Sequence, residues 1–375
     1  MLKLANKINK IKYKNMLTAM ATLSKLSSES SIPYLGYREV ENIYCKAFDA
    51  ENISRVDCSA DAAKNGVGVG IKTFIEGNGK SLQKVAEFNK DMDMFRGKTP
   101  REVVNIISNL RNERINATKR IYGLTNMIYH CVVRSVGQIK VFECPMDLIN
   151  IKTIKNISFS SKNTITFEDN LNEYSINISK STLYKRFLTK DVLLEFSVEI
   201  LQDPYEVITN LLNTDRAILK FASIVEEKEH IFLPLYSDRG GRNVSEKSGL
   251  NQWNAGGRKR NPNEVYIPIP AWIHQRFNGF FPSKDKVFDL ILPDKSVISA
   301  KVCQDGGKAL MSNPNQDLGK WILRNVMNLG EKELLTYERL VELGVDSVVI
   351  YKENSKKYSI DFTTLGSFDR FKEEI

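Results

Sequence analysis

Histidine and cysteine are scarce in this 375-residue chain, which holds three histidines (His130, His230, His274) and five cysteines (Cys45, Cys58, Cys131, Cys144, Cys303). The cysteines are odd in number, widely spaced and without a CxxC pair. That excludes a disulfide framework and a zinc site, and reads as reduced thiols in a cytoplasm. No histidine has a second one near it in sequence, so His130 reads as structural. No stretch approaches the roughly twenty apolar residues of a membrane span. The opening LKLANKINKIKYKNM lacks an apolar core and a small-residue cleavage site, so it is no secretory signal and reads as a basic amphipathic helix.

What the chain has is positive charge. Its 54 Lys+Arg against 45 Asp+Glu give +9 and a pI near 9.1, which favours a polyanionic partner. Its length suffices for two domains, with 42% hydrophobic and 26% charged residues as in ordinary globular proteins. The composition changes between residues 205 and 235, and we divide the chain into 1–225 and 226–375.

The stretch RVDCSADAAKNGVGVGIKT, residues 55–73, reads as a β-hairpin. Asp57, Ser59 and Asp61 alternate on one side, Asn65-Gly66 is the strongest short-range turn signal, and Val67, Val69 and Ile71 alternate on return. This pairing sets Asp61 opposite Gly70, with Lys72 just beyond. A strand-borne carboxylate can hold a hard divalent cation, and a nearby lysine can position water for phosphodiester hydrolysis. The alternative is a pair of solvated strand-end acids and an edge lysine.

The hairpin resembles the PD-(D/E)xK nucleases, particularly Type II restriction endonucleases. The resemblance implies Asp61 as the metal-binding acid, Asp57 as its alternative, Lys72 as the catalytic lysine and Mg²⁺ as the cofactor. The family's second acid, two residues before the lysine, is Gly70 here. Some members supply it from a following helix. SLQKVAEFNK, read as a helix over 80–90, offers Glu87 with Gln83 one turn before it, and Glu76 lies nearer in a Gly-rich turn.

Around the hairpin, the first 50 residues read as mostly helical, and Thr99 and Pro100 open a helix to about residue 122. One face of that helix carries Val103, Val104, Ile107 and Leu110, and the other Arg101, Arg111, Arg114, Lys119 and Arg120, suited to solvent or to a phosphate backbone. Residues 127–134, 138–144, 157–167 and 192–200 read as strands, completing an α/β domain with a mixed sheet. SKSTLYKRF, 179–187, reads as a phosphate grip or a basic strand end.

From residue 231 short strands carry two long excursions, and such loops in a compact domain are usually functional. The first offers Arg239, Arg242, Asn251, Gln252, Trp253, Asn254, Arg258, Lys259, Arg260 and Asn263. The second offers Gln304, Asp305, Lys308, Asn313, Asn315, Gln316, Lys320, Trp321 and Arg324. Arginine matches guanine edges, amides match adenine, and tryptophan can stack or wedge. The string SGLNQW…GRKRNPNEVYIPIP…FFP…CQDGGKAL…NQDLGKWI…YSIDF over about 231–370 is similar to the B3-like pseudobarrel of several restriction endonucleases. That resemblance implies an all-β or α+β second domain whose two arms contact double-stranded DNA in the major groove. Relatives of this domain are often fused to a phospholipase-D-type nuclease. No HxK pair supports one here, nor any Cys/His cluster an HNH centre.

The combined expectation is a cytoplasmic, Mg²⁺-dependent Type II restriction endonuclease. It would act as a homodimer on DNA, or as a monomer nicking in turn, beside a cognate DNA methyltransferase and away from membranes. A non-catalytic DNA-binding regulator is the alternative, and an RNA-directed nuclease a third.

Overall fold

The computed structural model describes residues 2–54, 58–212, 229–237, 241–251 and 261–374. The chain divides into two compact units, the first comprising 1–54, 59–112 and 124–226, and the second 55–58, 113–123 and 227–375.

The first unit opens with helices α1 (Lys7–Thr22) and α2 (Tyr37–Phe48). Strands β1 (Glu51–Asn52), β2 (Ala62–Lys64) and β3 (Val67–Ile75) then run antiparallel. The β2–β3 loop is Asn65-Gly66, with Lys64 paired to Val67 and φ of 49° and 73° at the two loop residues. Both values are positive, as a type I′ hairpin loop demands. Strand β4 (Lys80–Glu87) follows, then the long helix Pro100–Tyr122. Thr99 and Glu102 cap that helix reciprocally: Glu102 N–H donates to Thr99 Oγ1 at 3.4 Å, and Thr99 N–H to Glu102 Oε2 at 2.9 Å. The helix returns the chain to β5 (Asn126–Ser135), which lies parallel to β3. Next come β6 (Gln138–Pro145), β7 (Lys155–Ser161), β8 (Thr164–Glu168), β9 (Glu173–Asn177), β10 (Thr182–Leu188) and β11 (Leu194–Ser197).

Two sheets result, a six-stranded β1-β2-β3-β5-β6-β11 and a five-stranded β4-β10-β9-β8-β7. Tyr13, Leu17, Val40, Tyr44 and Phe48 of α1 and α2 pack on Val69, Ile71, Val132 and Val141 of the first sheet. Val103, Val104, Ile107 and Leu110 of the long helix pack with Ile165, Ile176 and Leu183 of the second. Between α1 and the first sheet, Tyr13 Oη lies 2.8 Å from His130 Nε2, and His130 Nδ1 lies 3.1 Å from Glu143. The buried His130 is therefore part of the packing.

Two expectations are corrected. The helix read over 80–90 is instead strand β4 up to Glu87, because it pairs with β10 and its exposure alternates as a strand's does, and only a short 3-10 turn follows at Asn89–Asp91. Residues 157–167 are not one strand but the hairpin β7–β8, which turns between Ser161 and Thr164.

In the second unit, β12 (His230–Pro234), β13 (Ile267–Pro268), β14 (Val287–Ile291), β15 (Val297–Cys303), β16 (Ala309–Ser312), β17 (Val345–Asn354) and β18 (Lys357–Thr364) form one sheet in the order β12-β17-β18-β14-β15-β16-β13. The end strands β12 and β13 also lie against each other, so the sheet closes nearly into a barrel. Leu290, Val302, Leu310, Ile350, Ile360 and Phe362 fill its core.

Candidate functional site: an acidic hairpin and a nucleic-acid interface

The β2–β3 ladder ends at Ala62, paired with Val69. The expected place of Asp61 opposite Gly70 is corrected: Asp61 bonds back to Val69 too, so the chain bulges there instead of continuing the register. Asp61 N–H donates to Val69 O at 2.8 Å, and Ile71 N–H donates to Asp61 Oδ2 at 2.6 Å. The carboxylate is thus fixed at the mouth of the hairpin. Ser59 and Asp61 precede β2 as irregular chain rather than lying within a strand. Lys72 shares one sheet face with Gly70, Tyr129 and Cys131, being paired to Cys131 in the parallel ladder.

Helix α2 adds Glu41, an acid the sequence reading did not select. Its neighbours Val40, Ile43, Tyr44, Ala47 and Phe48 are buried, and Glu41 itself is only 5% exposed. An acid inside an otherwise apolar helical stripe was the available signal. Burial and the nearby Asp61 carboxylate push Glu41 above the usual carboxylate range, against Ser54, Arg38 and Lys72. Burial likewise raises Asp61, opposed by Lys72, the Ile71 N–H and Arg38. Arg38 Nη1 stands 3.7 Å from Glu41 Oε2, an atom with no hydrogen-bond partner. Glu41, Asp61, Lys72 and Arg38 therefore form one electrostatic group.

The position of the usual second acid is filled by neighbours. A Cβ at Gly70 would come within 2.6 Å of Met146 Cε and 3.2 Å of the Tyr129 ring. Arg111 holds that ring, donating to Tyr129 Oη at 2.5 Å and to Ser59 Oγ at 3.2 Å. Arg111 is 4% exposed, so it does not join a solvent-facing basic stripe.

The structure does not bring Gln83 or Glu87 to Asp61. Both lie on β4 in the other sheet, where Glu87 accepts from Lys84 Nζ at 2.6 Å and Gln83 donates to Ser81 Oγ at 2.6 Å. Glu76 pairs instead with Lys140 at 3.2 Å. Asp57 lies outside the described residues.

Among the described residues, no group of three or more His, Cys, Asp or Glu gathers as a metal cluster. Two carboxylates, Glu41 and Asp61, do act on each other. Both are raised by burial, and one of their oxygens has no hydrogen-bond partner. A hard divalent cation with oxygen ligands matches this pair in charge and chemistry.

In the second unit, several residues expected at the DNA interface belong to the fold. Trp321 is 3% exposed and lies 5.1 Å from the Phe362 ring, so it packs in the core rather than standing free to stack on a base. Asn251 is buried, donating to Leu335 O at 2.9 Å and accepting from Leu335 N–H at 2.8 Å. Asn263 Oδ1 accepts from Arg324 Nε at 2.9 Å. Arg242 pairs with Asp369 at 2.5 Å and lies over the Tyr236 ring, Asp305 pairs with Lys284 at 3.5 Å, and Lys320 with Asp317 at 3.6 Å. Gln304, Lys308 and Asn313 are exposed, and Asn315 is half-buried. The turn of the second arm is held by His274 Nε2, 2.8 Å from Gly307 O. Arg239, Gln252, Trp253, Asn254, Arg258 and Arg260 lie outside the described residues.

Residues 224–354 match the family described as the NgoFVII C-terminal B3-like DNA-binding domain. A comparison with curated proteins finds no match. The chain thus carries a B3-like DNA-binding domain of the restriction-enzyme type, and the nearly closed sheet of the second unit accords with it. The match leaves the hairpin unit uncovered. Among the described residues, no helix is long and apolar enough to cross a membrane.

Proposed function

We propose that the chain is a Type II restriction endonuclease, cutting double-stranded DNA with Mg²⁺ at a site read by its B3-like domain. The observation that carries this reading is the electrostatic coupling of Glu41, Asp61 and Lys72 beside the β2–β3 hairpin, in a chain with a restriction-enzyme-type DNA-binding domain. Glu41 and Asp61 would hold the cation, taking the place of the acid that Gly70 cannot supply. When bound, Mg²⁺ supplies a Lewis acid for the phosphoryl oxygens. Lys72 orients the attacking water, and Arg38 balances the acidic pair in the free protein. Ile71 N–H keeps Asp61 in one rotamer, and the Asn65-Gly66 loop sets the register that delivers it. Cutting both strands with one centre per chain favours a homodimer on DNA. A cytoplasmic setting with a cognate methyltransferase completes the proposal.

A second reading is a DNA-binding regulator without catalysis, favoured by the two-carboxylate count and the filled space at Gly70. Digestion of plasmid and phage DNA with Mg²⁺ separates them, comparing wild type with Glu41→Ala, Asp61→Ala and Lys72→Ala. Discrete fragments from wild type alone, with DNA binding retained by the variants, are expected. Site-specific binding without cleavage under any divalent metal would instead establish the regulator.

A further inference from the structure

Away from the acidic hairpin, the first unit holds a cavity of about 420 Å³ lined by Cys144, Lys185, Asn172, Phe142 and Phe187, among others. Lys185 is 6% exposed, and its ammonium donates to the Asn172 side-chain oxygen. Among the described residues, no carboxylate lies within ion-pairing distance of it. The β5–β6 register pairs Tyr129 with Cys144 and Cys131 with Phe142. The two cysteines are therefore diagonal neighbours on one sheet face. Lys72 lies on that face too, directly across the parallel ladder from Cys131.

We propose that Cys144 and Cys131 are a peroxide-responsive thiol pair, in which Cys144 is oxidised first and Cys131 resolves it. The cavity gives a small hydroperoxide access to Cys144. The Cys144 thiolate attacks one peroxide oxygen, the O–O bond breaks, and hydroxide leaves, yielding a sulfenic acid. Cys131 sulfur then attacks Cys144 sulfur, forming the S–S bond and breaking the S–O bond. The hydroxyl leaves with the Cys131 proton as water. Two electrons pass from the two thiols to the peroxide. Access divides the roles, since Cys144 lines the cavity and Cys131 is fully buried. The neighbouring Cys131 thiol and Lys185 hold Cys144 below the usual thiol range, against its burial and the Asp147 and Glu143 carboxylates. Burial, and the Cys144 thiol beside it, keep Cys131 well above the range. Diagonal strand neighbours stand farther apart than a relaxed disulfide spans, so closing the bond draws β5 and β6 together. The shift arises beside Lys72 and lowers its activity, a consequence that rests on the proposed nuclease reading.

Hydrogen peroxide treatment of the full chain, alkylation of the remaining thiols and peptide mass mapping test the pair. The expected product is a Cys131–Cys144 crosslink reversed by dithiothreitol, with Cys45, Cys58 and Cys303 still free to alkylate. Cys131→Ser should stall at a sulfenic acid on Cys144, trapped by dimedone, and Cys144→Ser should give no crosslink. Lys185→Met, checked for folding by circular dichroism, should slow Cys144 oxidation by about tenfold. Comparable oxidation of all five thiols, or dimedone on a different cysteine, overturns the pair. DNA cleavage that survives complete crosslinking overturns the coupling to Lys72. The mass map reads the thiols whether or not the protein cleaves DNA, so the two proposals fail separately.

Discussion

Glu41 and Asp61 repel each other inside the fold, and the sign of that repulsion has a consequence for stability. Both carboxyls are raised above their unfolded values by burial, Glu41 also by Asp61. Folding therefore favours their neutral forms. The penalty is absent below the unfolded pKa and grows as pH rises through the carboxylate range toward the raised folded values. Glu41→Gln should abolish cleavage yet stabilise the metal-free protein at pH 7 by about 1 kcal/mol, roughly 2–4 °C in Tm for a unit of this size. The gain should vanish near pH 4, where the wild-type acids are protonated. Thermal melts across pH check this, and a lower Tm at pH 7 would sink it. Glu143 behaves oppositely. Burial works to raise it, but the His130 ring and the Leu2 N–H outweigh that and hold it at about 2. Its stabilisation is present at neutral pH and is lost as pH falls toward that value. That Asp61 lies beside strand β3 was legible because a two-residue turn fixes register over the few positions around it, but its backbone bond to Val69 rather than Gly70 was not. Glu41 was not legible either, because it reaches the hairpin from a helix twenty residues upstream.

At the scale of elements, legibility followed how much of each signal was local. The long helix was readable from Thr99, Pro100 and its apolar stripe, and the capping pair Thr99–Glu102 starts it where the sequence indicates. The hairpin turn at Asn65-Gly66 was equally readable. Strand β4 was not, since SLQKVAEFNK satisfies a helical period as readily as an alternating one. Its strand character comes from β10, nearly a hundred residues later. Residues 157–167 hid a turn because Ser161–Thr164 contains no glycine or proline. At the interface the composition of the arms was readable, but not which of their residues the fold claims. Trp321 and Asn251 looked like base readers and are packing and anchoring residues, because burial is decided by the distant Phe362 and Leu335.

The whole chain carries +9 and a B3-like domain over residues 224–354, and both features bear on DNA binding. Phosphate contacts made by lysine and arginine release counterions, whereas base contacts do not. The full-length Lys72→Ala protein, titrated without metal against labelled duplexes, should bind more weakly as salt rises. The slope of log K against log salt should be about −0.9 for each phosphate neutralised. Duplexes carrying the recognised sequence should retain their advantage over random duplexes at each salt concentration. Binding that ignores salt, or that never distinguishes one sequence from another, would contradict a reading domain of this type. Fluorescence anisotropy measures both.

The hairpin loop also makes the protein subject to time. Asn65 is exposed and followed by Gly66, a pair in which the glycine nitrogen is unusually free to attack the asparagine amide. Ammonia leaves, and the ring reopens largely to isoaspartate, which lengthens the backbone inside a loop that tolerates only two residues. The register that ties Asp61 to Val69 and Ile71 is then lost while the rest of the fold stands. Protein stored at alkaline pH should lose cleavage in step with isoaspartate at position 65 in peptide maps, and Asn65→Asp, which keeps a turn-compatible Asp-Gly, should age more slowly. Activity that outlasts complete conversion would show that the register survives the longer loop.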